Sequence, residues 1–218
     1  VYPAAGDRSG ATRRYLDSLD SAEFRAVETF FAQEARRHGV ALEQPFKLRL
    51  MAEYRDALPP LAAAPSALDV LVWSLRMRWL ASRLQWRTDG PSGDIVVFAM
   101  FHESSADLAL DRSTALEKGQ IAVANLFADR GAQGSNAMVL AHEVLHTLGA
   151  TDKYAPTTNL PRYPDGYAAP DAKPLLPQRA AELMAGRMPV DDAHAEIPRD
   201  LRAVMIGVAT AREIGWRD

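Results

Sequence analysis

Apolar residues along this chain fall into blocks of helical and strand period separated by turn-forming residues. Phe24, Val27, Phe30 and Phe31 recur at helical spacing behind Ser21. That predicts a helix capped by Ser21, running to about Arg37 and closed by His38-Gly39. The first dozen residues, rich in Gly, Ala, Arg and Ser, carry no period and are expected to be loose. Phe46-Lys47-Leu48-Arg49-Leu50 alternates and predicts a strand with one buried face. Pro59-Pro60 and Pro65 mark a loop, after which Ser66 caps a long helix from about Ala67 to Trp86. Its stripe Leu68, Leu71, Val72, Leu75, Trp79 and Leu80 is expected to back a sheet, while Arg76, Arg78, Arg83 and Arg87 are expected to be solvated.

The run 94–101, apolar throughout after Asp94, suits a central strand covered on both faces. A loop rich in Asp and Ser leads to a second strand over 120–127. Ala137-Met138-Val139-Leu140-Ala141, continued by Leu145 and Leu148, then predicts a mostly buried helix over about 135–148. Residues 155–178 hold six of the fourteen prolines together with Tyr163 and Tyr167, which predicts an ordered loop rather than helix or strand. Residues from about Arg199 to Ile214 read as a closing helix.

Composition narrows the class. A chain of 218 residues with 48% hydrophobic content fits one globular domain. A net charge of −3 gives no reason to expect a nucleic-acid partner. The absence of cysteine removes disulfides, thiolate metal sites and any cysteine-based latency switch. No apolar run reaches the ~18 residues of a membrane span. The start at Val1-Tyr2-Pro3, without Met, is read as the trimming of a leader or anchor, which favours an extracytoplasmic address.

The chemistry concentrates at His142-Glu143-Val144-Leu145-His146-Thr147-Leu148-Gly149-Ala150-Thr151-Asp152. Residues four apart share one face of a helix, so His142 and His146 can offer two imidazole nitrogens to one metal. Glu143 lies on the adjoining edge, where its carboxylate can take a proton from water. Gly149 can leave the helix in a left-handed conformation, and the reversed chain could return Asp152 as a third ligand. With the chain's own frequencies, H-E-x-x-H arises by chance in roughly one such sequence in two hundred. Three protein ligands and an open position describe a catalytic zinc site. Glu182 is the alternative third ligand. A non-catalytic envelope module that keeps its zinc is a further alternative, against which the intact Glu143 counts.

The pattern His142-Glu143-x-x-His146-x-x-Gly149-x-x-Asp152 resembles the zinc signature of the metzincin clan of metallopeptidases. The variant is the one whose third ligand is Asp, as in snapalysin-like peptidases; most of the clan has His there. Residues 137–154 carry the resemblance, and the stretch to 189 extends it toward uncharacterised bacterial proteins predicted to be metallopeptidases. It implies a zincin-like α/β (α+β) fold in a single catalytic domain, 1–218. An upper subdomain over 1–149 would hold a twisted mixed sheet, two backing helices and the zinc helix at the cleft floor. A smaller irregular and helical subdomain over 150–218 would lie below. Met184, in Glu182-Leu183-Met184-Ala185-Gly186, would form the structural methionine turn beneath the metal.

The resemblance further implies one catalytic Zn2+, a peptide or protein substrate hydrolysed by a Glu143-activated water, and a monomer. Residues 120–127 would be the antiparallel sheet edge along the substrate cleft. The clan's oxyanion tyrosine follows the turn methionine by two residues, a place held here by Gly186, so Tyr154, Tyr163 and Tyr167 all stay open for that role. Calcium has only Asp165-Gly166 and Asp171 to suggest it, without E-F-hand spacing. His38 is read as a helix cap, His102 as surface structure at the cleft rim and His194 as solvated.

Overall fold

The computed structural model describes residues 1–61, 66–87, 92–104, 113–116 and 119–218. It is a mixed α/β fold built on a four-stranded sheet. In chain order the first part runs β1 (Tyr2–Ala5), α1 (Gly10–Asp17), α2 (Arg25–Arg37), α3 (Ala67–Trp86), β2 (Val96–His102), β3 (Thr114–Leu116), β4 (Ile121–Phe127) and α4 (Gln133–His146). Short pairs follow, β5 (Ala181–Glu182) with β8 (Val204–Met205) and β6 (Met188–Pro189) with β7 (Ala195–Glu196). The last element is α5 (Val208–Glu213). No helix of the described residues is long and apolar enough to cross a membrane.

The sheet order is β1-β2-β4-β3, with β1, β2 and β4 parallel and β3 antiparallel to β4. Successive side chains of β2 point to opposite faces, and the burial follows that period. Val97, Ala99 and Phe101 join the core under α1, α2 and α4, whereas Val96 and Phe98 pack with Trp73, Met77 and Leu80 of α3. β2 is thus the doubly covered central strand that its apolar run predicts.

Other expectations are corrected. Residues 2–5 are not loose: β1 pairs in parallel with Phe98–Phe101, an interaction between distant residues that four residues of sequence cannot announce. Residues 46–50 form no strand. Phe46, Leu48 and Leu50 do turn toward the core, and Val1, just before β1, bonds the segment through its amino group to the Arg49 carbonyl at 2.7 Å without forming a strand ladder. Residues 121–127 are interior, and the antiparallel edge is the three-residue β3, too short to carry a readable alternation. The first helix begins as a 3-10 turn over Ser21–Phe24, capped by Asp20 rather than Ser21. The closing helix is confined to α5, because residues 201–205 form a 3-10 turn and β8 instead.

The largest correction concerns α3. Its bounds and the Ser66 cap agree with the sequence, and Ser66 and Asp69 form a reciprocal capping box. The face does not agree. Leu68, Leu71, Val72, Leu75 and Trp79 point outward, while Trp73, Met77, Leu80 and Ala81 are buried. The helix is apolar on both sides, so periodicity alone cannot choose its inner face.

Two contacts set α4 against the rest. Asn136 clasps the end of β4, its Oδ1 accepting from Phe127 N–H at 2.9 Å and its Nδ2 donating to the Phe127 carbonyl at 2.8 Å. At the helix start a Cβ on Gly134 would stand 2.2 Å from the Arg199 carbonyl oxygen, so only glycine lets the later chain pass there.

Candidate metal centre

α4 carries His142, Glu143 and His146 within its last five residues and ends at His146, with Thr147 as the cap. Gly149 has φ +96°, the left-handed exit that the sequence predicts. The Ala150 N–H returns to the Leu145 carbonyl at 3.1 Å, and the chain doubles back toward the helix face.

The doubling back brings Asp152 to the two histidines. Its Oδ1 lies 3.2 Å from His142 Nε2 and 3.2 Å from His146 Nε2. The opposite ring nitrogens are engaged by backbone: His142 Nδ1 lies 3.1 Å from the Leu183 carbonyl, and His146 Nδ1 lies 2.7 Å from the Ala150 carbonyl. A carbonyl only accepts, so each Nδ1 carries the donated proton and each Nε2 is aimed at Asp152. Two imidazole lone pairs facing one carboxylate oxygen repel unless positive charge sits among them. The centre therefore requires protons or a cation.

Charge in the pocket follows the same geometry. Burial works to raise the Asp152 carboxyl, but the hydrogen bonds from His142 and His146 outweigh it and hold the group well below the usual carboxylate range. Burial pulls His146 down, and the Asp152 hydrogen bond and Ala150 carbonyl more than reverse this, leaving it raised. Glu143 is buried, and desolvation pushes its carboxyl up against the opposing pull of both histidines. Its Oε2 is a buried oxygen without a hydrogen-bond partner among the described residues. An orphaned buried carboxylate oxygen is costly, and its presence fits a site that receives a further group.

His142, Glu143 and His146 could hold a metal ion, their ligand atoms all lying within 4.8 Å of one another. Glu182 has other business. Its Oε1 accepts from Gly207 N–H at 3.0 Å and Thr210 Oγ1 at 2.7 Å, and its Oε2 from Ala185 N–H at 3.0 Å. It is fully buried as a clip between the 182–186 turn and α5, and burial raises its carboxyl despite those donors.

Met184 is also fully buried, and its turn touches the centre from two sides. The Lys153 N–H donates to the Met184 carbonyl at 2.9 Å, next to the Leu183 carbonyl that holds His142. Tyr154 forms an isolated bridge with Pro161, and Tyr163 packs edge-on against Tyr167 at 5.3 Å. Around Asp165 and Asp171 no cluster of three ligand-bearing side chains forms among the described residues. His38 caps α2 as expected, and it also reaches the Ile206 carbonyl through Nε2 at 2.8 Å. His102 meets Asn125 Oδ1 at 2.9 Å, and His194 pairs with Asp191 on the surface.

One support for the centre leaves no trace in the local sequence. Glu213, at the end of α5, accepts from Thr151 N–H at 3.0 Å, Thr151 Oγ1 at 2.8 Å and Lys153 Nζ at 2.5 Å. These bonds grip the residues on either side of Asp152. Lys153 is buried, so its charge needs the partner that Glu213 supplies.

Comparison with family models, with curated proteins and with solved structures yields no match to this chain.

Proposed function

We propose that the protein is a zinc-dependent endopeptidase of zincin-like architecture, with His142, His146 and Asp152 as the metal ligands and Glu143 as the general base. One observation carries the reading. Tetrahedral bonds of about 2.0–2.1 Å separate their ligand atoms by about 3.3 Å. Asp152 Oδ1 stands 3.2 Å from each Nε2, close to that spacing. Imidazole and carboxylate donors suit zinc, and the Nδ1–H bonds to backbone carbonyls are the outer contacts that orient histidine ligands.

When bound, zinc supplies a Lewis acid that polarises a scissile carbonyl and makes water more acidic. The chain's own groups do the rest. Glu143, beside both histidines on the helix edge, takes the proton of the attacking water and returns it to the leaving amine. Its Oε2, with no hydrogen-bond partner among the described residues, is available for that transfer. Asp152 contributes negative charge, which offsets part of the cation's charge and makes the metal a weaker Lewis acid than a three-histidine site would. The commitment of Glu182 to Gly207, Thr210 and Ala185 counts against its use as the third ligand.

The test is Glu143→Gln assayed beside the parent on an unfolded protein substrate, with zinc measured in both. We expect retained zinc and fold, with cleavage reduced by about 10²–10⁴. Equal cleavage by parent and variant would remove Glu143 from the chemistry, and a parent that loads zinc but cleaves nothing would favour a non-catalytic module.

A further inference from the structure

The outward face of α3 is the feature that the proposed peptidase does not use. Leu68, Leu71, Val72, Leu75, Trp79 and Trp86 are exposed by between 38% and 90% and fall at helical spacing along one side. The opposite side is already buried on the sheet. A helix apolar all round has both sides covered in its working state.

Charge identifies what covers the second side. Residues 66–87 hold four arginines and one aspartate, a net +3 within a chain of net −3, which leaves −6 for the remainder. Arg76, Arg83 and Arg87 are exposed and lie along one flank of the stripe by helical spacing, with Arg83 stacked 5.2 Å over the Trp79 ring. Arg78 borders the other flank. A second copy is a poor occupant, because two-fold pairing of this helix with itself sets arginine against arginine along both flanks, with Asp69 the only acid. An anionic surface satisfies both features at once: apolar side chains enter the acyl boundary, tryptophan sits at headgroup level, and arginines meet phosphates.

We propose that α3 docks the protein on an anionic lipid surface, the helix lying in the headgroup plane with its Leu/Trp stripe inserted. The positive charge of α3 sets this orientation, while the acidic remainder of the chain is held in solution. The inference is independent of the metal centre.

The test is vesicle flotation of the full chain on phosphatidylcholine alone and on phosphatidylcholine with about one third phosphatidylglycerol. Binding is expected only to the anionic vesicles, with a blue-shifted tryptophan emission and release by salt. Leu75→Glu and Trp79→Glu should each lower partitioning about tenfold or more, and Arg76→Ala with Arg83→Ala should do likewise while leaving the apolar stripe intact. These side chains are exposed, so thermal melting should match the parent and separate docking from folding. Absence of binding to anionic vesicles, equal binding to neutral ones, or variants that bind like the parent would overturn the proposal. So would a parent dimer in solution that Leu75→Glu splits, which would assign the stripe to a second copy.

Discussion

His142 Nδ1 lies 3.1 Å from the carbonyl oxygen of Leu183, so the imidazole is held by the 182–186 turn on one side and aimed at Asp152 on the other. The bond links α4 to a residue 41 positions later and fixes which nitrogen is free. His146 has the equivalent restraint from the Ala150 carbonyl. Neither ring needs to reorient to receive a metal, which lowers the entropic cost of binding.

The first prediction follows from that preorganisation. The purified chain should bind one zinc, and His142→Ala or His146→Ala should abolish it by elemental analysis. Full stoichiometry in either variant would remove the centre assigned to these residues.

The third ligand is decided by a pair of variants. Asp152→Ala should weaken zinc binding on the order of a hundredfold or more. Glu182→Gln should leave zinc affinity unchanged yet destabilise the fold by about 1–3 kcal/mol, since an amide nitrogen would oppose one of the three buried donors that the carboxylate now satisfies. Chelator competition and thermal melting read the two effects separately. The reverse ranking of affinities would make Glu182 the ligand.

Glu213 tests whether the loop around Asp152 is held from outside. Glu213→Ala frees Thr151 and Lys153 and should lower zinc affinity about 10–100-fold, as loss of supporting contacts around a metal does. Glu213→Gln, which keeps one acceptor oxygen, should recover part of it. Unchanged affinity in the alanine variant would show that the Gly149 turn positions Asp152 unaided.

Asn136 bears on stability alone. Asn136→Ala leaves the Phe127 N–H and carbonyl without their buried partner and should cost about 1–3 kcal/mol. For a chain of this length that lowers Tm by about 2–4 °C per kcal/mol. Zinc stoichiometry should not change.

The sequence announces those features whose cause is local. Ser66 and Asp69 state the start of α3, the apolar run of β2 states a central strand, and Gly149 states the reversal after α4. His142, Glu143 and His146 are legible because one helical turn brings them together. What depends on distant residues is silent: β1 exists through its pairing with β2, the outer face of α3 is indistinguishable by period from the inner one, and β3 takes the sheet edge with three residues. The grip of Glu213 on Thr151 and Lys153 spans sixty positions and has no motif.

That grip also sets an order of events during synthesis. The two histidines and the glutamate lie on a helix complete by residue 146, yet the loop carrying Asp152 is fastened by Glu213, sixty positions beyond Lys153. A nascent chain that has not yet released α5 owns the helix without a secured Asp152. The centre is therefore secured only after α5 has been made and docked, and a nascent chain halted before α5 holds the helix residues of the candidate centre without the bonds that fasten the Asp152 loop.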